Sequence, residues 1–205
     1  MKLIHTGTSP YVRKVMVAAH ELGLAGRIET TFLRPNPTRP DPELSKLNPL
    51  SKIPALVTDE GRVVYDSRVI CEYLQSLAGA EAQKLTPPSG PERWEVLRRA
   101  ALCDGILEAA ILVFYERDQR PKELHWEPWI SGQESKARQG LDALEAEVDT
   151  LSGDVDLAHI GVGVTVGWLL FRKHLGDVLA TRPRLAAWYA RFSERPSMLA
   201  TVPRL

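Results

Sequence analysis

The stretch 48–57 of the 205-residue chain reads NPLSKIPALV and places a proline at the entrance of a predicted strand. Residues 55–57 are apolar and bounded by turn-forming residues, which is typical of a short strand. Pro54 has no N–H to give to a sheet, and X-Pro bonds are those for which the cis form costs little. A cis bond here would leave the N–H and C=O of Ile53 able to pair with an extended peptide. Pro54 could equally be an ordinary proline at the end of a loop.

The composition predicts a protein with a real core and no net charge. Apolar residues make up 44% of the chain, and 26 basic residues balance 26 acidic ones. This balance argues against nucleic acid or an anionic membrane as a partner, because both require a basic surface. No signal-peptide pattern is visible, and the longest mostly apolar run, 160–171, is too short to span a bilayer. The two cysteines form no CxxC motif, so we expect a reducing, cytoplasmic setting.

The first 78 residues predict a small α/β domain. Thr8 or Ser9 is suited to the N-cap of the first helix, and Pro10 suits its first position. A proline-rich loop at 34–42 separates this part from a predicted hairpin. The predicted strands are 2–5, 28–33, 55–57 and 62–65, and the predicted helices are 10–22, a short turn within 41–47, and 67–77. The strand–helix–strand unit implies a parallel pair, and the hairpin adds antiparallel strands.

The rest of the chain predicts helices only. Residues 79–90 are polar and contain prolines, which is typical of a linker. Ser89 and Glu92 have the spacing of a capping box that would open a long helix ending near 118. Further helices are predicted at 126–151, 157–172 and 183–192. The helix 157–172 is apolar nearly all round and should be buried on every side, and its Gly163 and Gly167 would let another helix approach closely.

Three segments, in this order and spacing, resemble bacterial members of the glutathione S-transferase family. They read SPYVRKV at 9–15, NPLSKIPAL at 48–56 and YDSRVICEYL at 65–74, and RPS at 195–197 also resembles the family's ending. The resemblance covers the whole chain and is strongest in the first 78 residues. It implies the glutathione transferase fold: an α/β thioredoxin-like N-terminal domain at 1–78, a linker at 79–90 and an all-α C-terminal domain at 91–205. It also implies a homodimer.

One position departs from the family pattern. The buried helix of the second domain usually opens with a Ser/Thr cap followed three residues later by Asp. Here Asp156 is followed by His159. Asp156 can still act as the cap, but His159 cannot supply the carboxylate, so the sequence leaves the stability of this helix start in question.

The resemblance implies that Ser9 is the catalytic residue. Glutathione reacts through its cysteine thiolate, and since a free thiol has a pKa of about 8.5, donors aimed at the sulfur are needed at neutral pH. The Ser9 hydroxyl could donate to this sulfur or act as a plain N-cap, and Thr8 is the adjacent alternative. A serine here disfavours glutaredoxin-like reduction, and Cys71 and Cys103 fall inside predicted helices as packing residues do.

The resemblance also implies partners for the rest of the tripeptide. The γ-Glu carboxylate would dock on the N–H and hydroxyl of Ser67 at a helix N-terminus, with Asp66 facing the γ-Glu amine. Both residues could also simply cap the helix. The backbone of Ile53, before Pro54, would pair with the glutathione cysteine. Lys52 would meet the glycine carboxylate, although it could equally be a solvated loop lysine.

An apolar second substrate should lie against the helical domain. The side chains predicted for its wall are Tyr11, Leu107, Ile111, Phe114 and Tyr115. We expect most of them to be core residues and about two of the five to line a site.

Arg39 is a weaker candidate than Lys52 for the glycine carboxylate of glutathione.

These residues predict transfer of glutathione to a small apolar electrophile, a detoxification reaction with glutathione as co-substrate. The five histidines show no metal-ligand spacing, so no metal is expected. Glutathione-dependent isomerisation, dehalogenation or peroxide reduction would be close variants, although the segment 8–11 lacks the Ser/Cys-rich motif of the isomerases. A non-enzymatic protein-interaction module on the same fold is the alternative of another class.

Overall fold

The computed structural model describes residues 1–33, 35–79 and 85–204. The chain divides into two compact units, which are described separately. Unit 1 comprises Met1–Thr86 together with Pro196–Leu205, and unit 2 comprises Pro87–Arg195. The predicted linker 79–90 remains a prediction, and its residues 80–84 lie outside the described residues.

Unit 1 contains a four-stranded mixed sheet. Its strands are β1 (Lys2–His5), β2 (Glu29–Phe32), β3 (Ala55–Val57) and β4 (Val63–Val64), in the order β2-β1-β3-β4. β1 pairs with β2 in parallel, whereas β3 is antiparallel to both β1 and β4. The predicted parallel pair and the predicted hairpin are therefore confirmed, with β4 shorter than the sequence indicates.

Eight α-helices are found among the described residues. In chain order they are α1 (Pro10–Glu21), α2 (Pro42–Leu47), α3 (Ser67–Leu77), α4 (Pro91–Asp118), α5 (Glu127–Glu147), α6 (Leu157–Arg172), α7 (Pro183–Ser193) and α8 (Pro196–Leu199). Unit 1 holds α1, α2, α3 and α8, and unit 2 holds the other four. Among the described residues, no helix has both the length and the apolar character needed to cross a membrane.

The last residues of the chain group with unit 1, although the sequence places them in the helical domain. The Arg13 guanidinium on α1 donates to the Met198 carbonyl at 3.2 Å and to the Thr201 hydroxyl at 3.4 Å. The Ser197 hydroxyl also donates to the Glu21 carboxylate at the end of α1. These side-chain contacts join segments far apart in sequence, which is why no local pattern indicates them.

Two helix boundaries in unit 2 differ from the prediction. Gly90 rather than Ser89 is the N-cap of α4, and no side-chain hydrogen bond caps this helix. Gly90 has a φ of 88°, a backbone conformation that glycine adopts readily, and Pro91 then fills the first helical position. The helix α5 ends at Glu147, and a 3₁₀ turn at Val148–Thr150 follows it.

The helix α6 is the centre of unit 2. Every residue from Leu157 to Leu169 is buried, as the apolar sequence predicts. Gly161 lies against α4, since a Cβ there would come within 3.2 Å of the Cys103 Cβ. Gly163 and Gly167 are buried too, and their role in close helix approach stays a prediction.

A reciprocal cap forms the start of α6. The Asp156 carboxylate accepts a hydrogen bond from the His159 N–H at 3.0 Å. The His159 Nδ1 lies 2.7 Å from the same carboxylate and 3.4 Å from the Asp156 backbone nitrogen. The imidazole thus takes the position of the family's usual carboxylate, and this resolves the question that the sequence leaves open.

Candidate functional site

The register of the sheet brings three predicted site segments to one end of it. Ile4 at the end of β1 lies opposite Ala55 at the start of β3, and Leu56 lies opposite Val64 at the end of β4. Residue 9 follows β1, residue 53 precedes β3, and residues 66 and 67 follow β4. Because the chain enters or leaves the sheet at this same end, Ser9, Ile53 and Asp66–Ser67 belong to one region of unit 1.

The peptide bond between Ile53 and Pro54 is cis. Ile53 lies just before β3, and its side chain is half-buried. Its N–H and C=O have no hydrogen-bond partner among residues 1–33, 35–79 and 85–204. This backbone can therefore pair with an added extended peptide, as an exposed strand edge does.

Asn48 orders the loop that leads to this bond, and the sequence reasoning missed its role. The buried Asn48 side chain donates to the Lys52 carbonyl at 2.9 Å and accepts from the Leu50 N–H at 3.0 Å. Asparagine often bonds to backbone two residues onward in turns, so its position before Pro49 was the available signal. The Lys52 side chain is exposed and has no ion-pair partner in the described part of the chain.

Ser9 is the N-cap of α1. Its side-chain oxygen accepts a hydrogen bond from the Val12 N–H at 3.3 Å. Its hydroxyl hydrogen has no acceptor within the described ranges, and the residue is half-buried. The cap uses the oxygen only, so the same hydroxyl can donate to a ligand.

Asp66 and Ser67 form the start of α3. The Asp66 carboxylate accepts from the Arg68 N–H at 3.0 Å and is exposed. Ser67 is 3% exposed, and neither its N–H nor its hydroxyl has a partner among the residues that the structure describes. Free donors at a helix N-terminus suit a carboxylate. The peptide between Tyr65 and Asp66 is also cis, a feature with no signal in the sequence.

The five residues predicted for an apolar wall differ in their exposure. Leu107 is completely buried, so its side chain packs in the core rather than lining a surface. Tyr11, Ile111, Phe114 and Tyr115 are each partly exposed.

One of these side chains, Phe114, packs against a cation that the sequence reasoning missed. The Phe114 and Tyr115 rings lie 5.5 Å apart, and the Arg172 guanidinium lies 4.3 Å from the centre of the Phe114 ring. Burial raises the pKa of the Tyr115 phenol, and the positive charge of Arg172 offsets only part of that rise. The phenol therefore stays protonated at neutral pH.

Among the described residues, no cluster of three or more His, Cys, Asp or Glu side chains could hold a metal ion. Cys71 and Cys103 are both buried in their helices, as predicted. Among the polar groups of the described site, hydroxyls, backbone groups, one lysine and the second carboxylate oxygen of Asp66 remain available to a ligand.

Comparison with known proteins identifies the family. The model described as "Glutathione S-transferase, N-terminal domain" matches residues 8–77, and the one described as "Glutathione S-transferase, C-terminal domain" matches residues 127–191. The uncharacterized GST-like protein YibF of Escherichia coli strain K12 is 34% identical over 206 residues, covering 99% of this chain and 98% of that protein.

Solved structures agree with this result. A glutathione transferase family member from Pseudomonas fluorescens Pf-5, with bound glutathione, has a TM-score of 0.95 and 46% identity, covering 100% of this chain and 99% of its own. A second Pf-5 structure, with bound S-(propanoic acid)-glutathione, has a TM-score of 0.90 and 44% identity, covering 100% of both chains. The chain belongs to the glutathione S-transferase family.

Proposed function

We propose that this protein is a glutathione transferase that activates the glutathione thiolate for attack on a small apolar electrophile. The observation that carries the proposal is the meeting of Ser9, Ile53 and Asp66–Ser67 at one end of the sheet. Each of these segments has donors or acceptors that no other described residue uses. The similar structures with bound glutathione support glutathione as the ligand.

In this proposal, three parts of unit 1 each bind one residue of glutathione. The N–H and C=O of Ile53 pair with the cysteine residue of glutathione, as an added strand would. The Ser67 N–H and hydroxyl hold the γ-Glu carboxylate, and the open carboxylate oxygen of Asp66 accepts from the γ-Glu amine. The exposed Lys52 ammonium pairs with the glycine carboxylate, and this contact is worth least because both groups remain in water.

Ser9 supplies the chemistry in this proposal. Its hydroxyl donates to the glutathione sulfur and stabilises the thiolate over the thiol. The N-terminal end of α1, which Ser9 caps, adds a favourable field for the negative sulfur. The thiolate then attacks carbon of the electrophile, forming a carbon–sulfur bond while the leaving group departs or the adjacent carbon takes a proton.

The second substrate needs an apolar surface. We propose Ile111, Phe114 and Tyr115 of unit 2 for it, because these three are partly exposed, whereas the completely buried Leu107 is left out. Tyr11 is partly exposed in unit 1 and stays a separate candidate. One similar structure contains a glutathione derivative whose name places a propanoic acid group on sulfur, the kind of product that thiolate attack on carbon gives. Assembly as a homodimer and a cytoplasmic location belong to the same proposal.

The thiol pKa of bound glutathione tests this function. We expect thiolate ultraviolet absorbance against pH to give a pKa clearly below the free value of about 8.5. Ser9→Gly should move that pKa back toward the free value, and Ser9→Thr should preserve it. Glycine is the useful replacement because it costs an N-cap only a few tenths of a kcal/mol relative to serine.

The outcomes separate the alternatives. Binding without a pKa shift would leave a glutathione-binding protein that lacks this chemistry. No glutathione binding would favour the protein-interaction module on the same fold.

A further inference from the structure

A cleft of about 250 Å³ opens within unit 2, and the glutathione proposal does not use it. Its lining residues come from the loop 151–155, from His159 at the start of α6, and from the end of α7 through Arg195. None of them belongs to unit 1. The cleft is therefore a feature of the helical unit alone.

Aromatic rings form one wall of the cleft. Trp188 and Phe192, one turn apart on α7, are stacked with ring centres 4.6 Å apart and planes 13° from parallel. The His159 ring lies 6.4 Å from Phe192 and 6.2 Å from Trp188. Both α7 rings are more than nine-tenths buried and pack against each other, so each ring holds the other in place.

The His159 imidazole is held in one orientation. Its Nδ1 lies 2.7 Å from the Asp156 carboxylate in the cap of α6. Its Nε2 has no hydrogen-bond partner among residues 1–33, 35–79 and 85–204. The Nε2 atom is not fully buried, so part of its surface reaches solvent. Because His159 lines the cleft, Nε2 is positioned to meet a polar group there.

The side chains of the lining that carry a fixed charge are both positive. Arg191 and Arg195 line the cleft, and no carboxylate of the described residues does. Arg191 is exposed and has no ion-pair partner in the described part of unit 2, whereas the Arg195 guanidinium lies 5.8 Å from the centre of the Phe192 ring. Of the nearby acids, Asp156 pairs with His159, and Asp154 and Glu194 are exposed and outside the lining.

We propose that this cleft binds a small planar carboxylate, such as a single-ring aromatic acid. The carboxylate would pair with Arg191, because a guanidinium matches a carboxylate in shape and charge. The ring would lie against Trp188 and Phe192, beside the His159 imidazole. The volume limits the ligand to about one ring, since sites for larger ligands span roughly 300–1,000 Å³.

The test is a titration of the full chain with benzoate, followed by the nuclear magnetic resonance shifts of the Trp188 indole N–H and the His159 ring. Acetate supplies the charge without the ring, and benzyl alcohol supplies the ring without the charge. Arg191→Gln removes the proposed partner. Arg62→Gln is the matched control, because it removes an exposed arginine of unit 1 and changes the net charge equally.

We expect saturable benzoate binding at Trp188 and His159, about tenfold weaker in Arg191→Gln and unchanged in Arg62→Gln. Acetate and benzyl alcohol should each bind at least about tenfold more weakly than benzoate. Equal losses in both arginine variants, or no saturable shift at Trp188, would overturn the proposal. Glutathione affinity, measured on the same Arg191→Gln sample, should not change, so failure here and failure of the transferase proposal are distinguishable.

Discussion

The helix starts of α1 and α6 use their capping side chains differently. At α6, Asp156 and His159 cap each other reciprocally, and the carboxylate is within hydrogen-bond distance of both the His159 N–H and the imidazole. At α1, the Ser9 oxygen accepts one bond at 3.3 Å, and the hydroxyl hydrogen has no acceptor among the described residues. A reciprocal cap mainly stabilises its helix, whereas a cap with an unused donor at the end of a sheet is available to a ligand.

The largest effect that separates the two helix starts is expected at Ser9. Ser9→Gly should lower kcat/KM for glutathione transfer about 100-fold, because one preorganised donor to a developing anion is lost. The melting temperature should hardly change, since glycine is a tolerable N-cap. Initial rates with a panel of aryl halides and enones check this, with Ser9→Thr as the control that keeps the hydroxyl. An unchanged rate would show that Ser9 only caps α1.

At the start of α3, the expected effect is on the affinity for glutathione. Ser67→Ala should weaken glutathione binding about tenfold, because a charged carboxylate loses a hydroxyl donor. Ser76→Ala is the matched control, since Ser76 is exposed near the other end of the same helix and donates to the Tyr73 carbonyl. Isothermal titration calorimetry with glutathione measures both. Equal affinities would show that Ser67 caps α3 and does nothing more.

At the start of α6, loss of the cap is expected to lower stability and to leave glutathione binding and turnover unchanged. Asp156→Ala should lower the free energy of unfolding by about 1 kcal/mol, because it removes the N-cap. Glutathione affinity and kcat/KM should stay the same. Denaturant unfolding provides the measurement, and Asp154→Ala, an exposed aspartate in the preceding loop, provides the control. A loss of glutathione affinity in Asp156→Ala would remove the distinction between the two helix starts.

The smallest effect concerns an ion-pair network on α4 and α5, away from both helix starts. Burial raises the pKa of Glu147, but the hydrogen bonds and charges of Arg98 and Arg99 more than offset this, so its pKa is lowered from 4.5. A lowered pKa in the folded state means that the stabilisation is present above about pH 4.5 and is lost as the pH falls through the folded value. Glu147→Gln should therefore cost about 0.5 kcal/mol at neutral pH and less in acid.

Denaturant unfolding curves at neutral and at acidic pH check this sign. The control is Glu123→Gln, which removes an exposed glutamate of the same unit and changes the net charge equally. A cost of Glu147→Gln that grows as the pH falls would contradict the assigned direction.

Local signals predicted most elements of unit 1. Bounding turn-forming residues indicate β1 and β3, and the Ser9-Pro10 and Asp66-Ser67 pairs indicate where α1 and α3 begin. The convergence of these segments could not be predicted from residues alone, because strands of two and three residues do not fix their register. It depends on Ile4 lying opposite Ala55.

Other features lacked a local signal altogether. The contact of Arg172 with Phe114 and the hydrogen bond from Arg13 to Met198 join residues far apart in the chain. The predicted cap at Ser89 is wrong because Gly90, with its positive φ, begins α4 instead. The His159 cap could have been anticipated, since an imidazole nitrogen can accept from a backbone N–H or, when protonated, donate to a carboxylate.

The most direct test of the account is a crystal structure of this protein with glutathione. We expect the sulfur within hydrogen-bond distance of the Ser9 hydroxyl, two antiparallel bonds between the glutathione cysteine and the Ile53 backbone, and the γ-Glu carboxylate on Ser67. Glutathione bound elsewhere, or a sulfur out of reach of Ser9 with the Ile53 backbone unpaired, would contradict it.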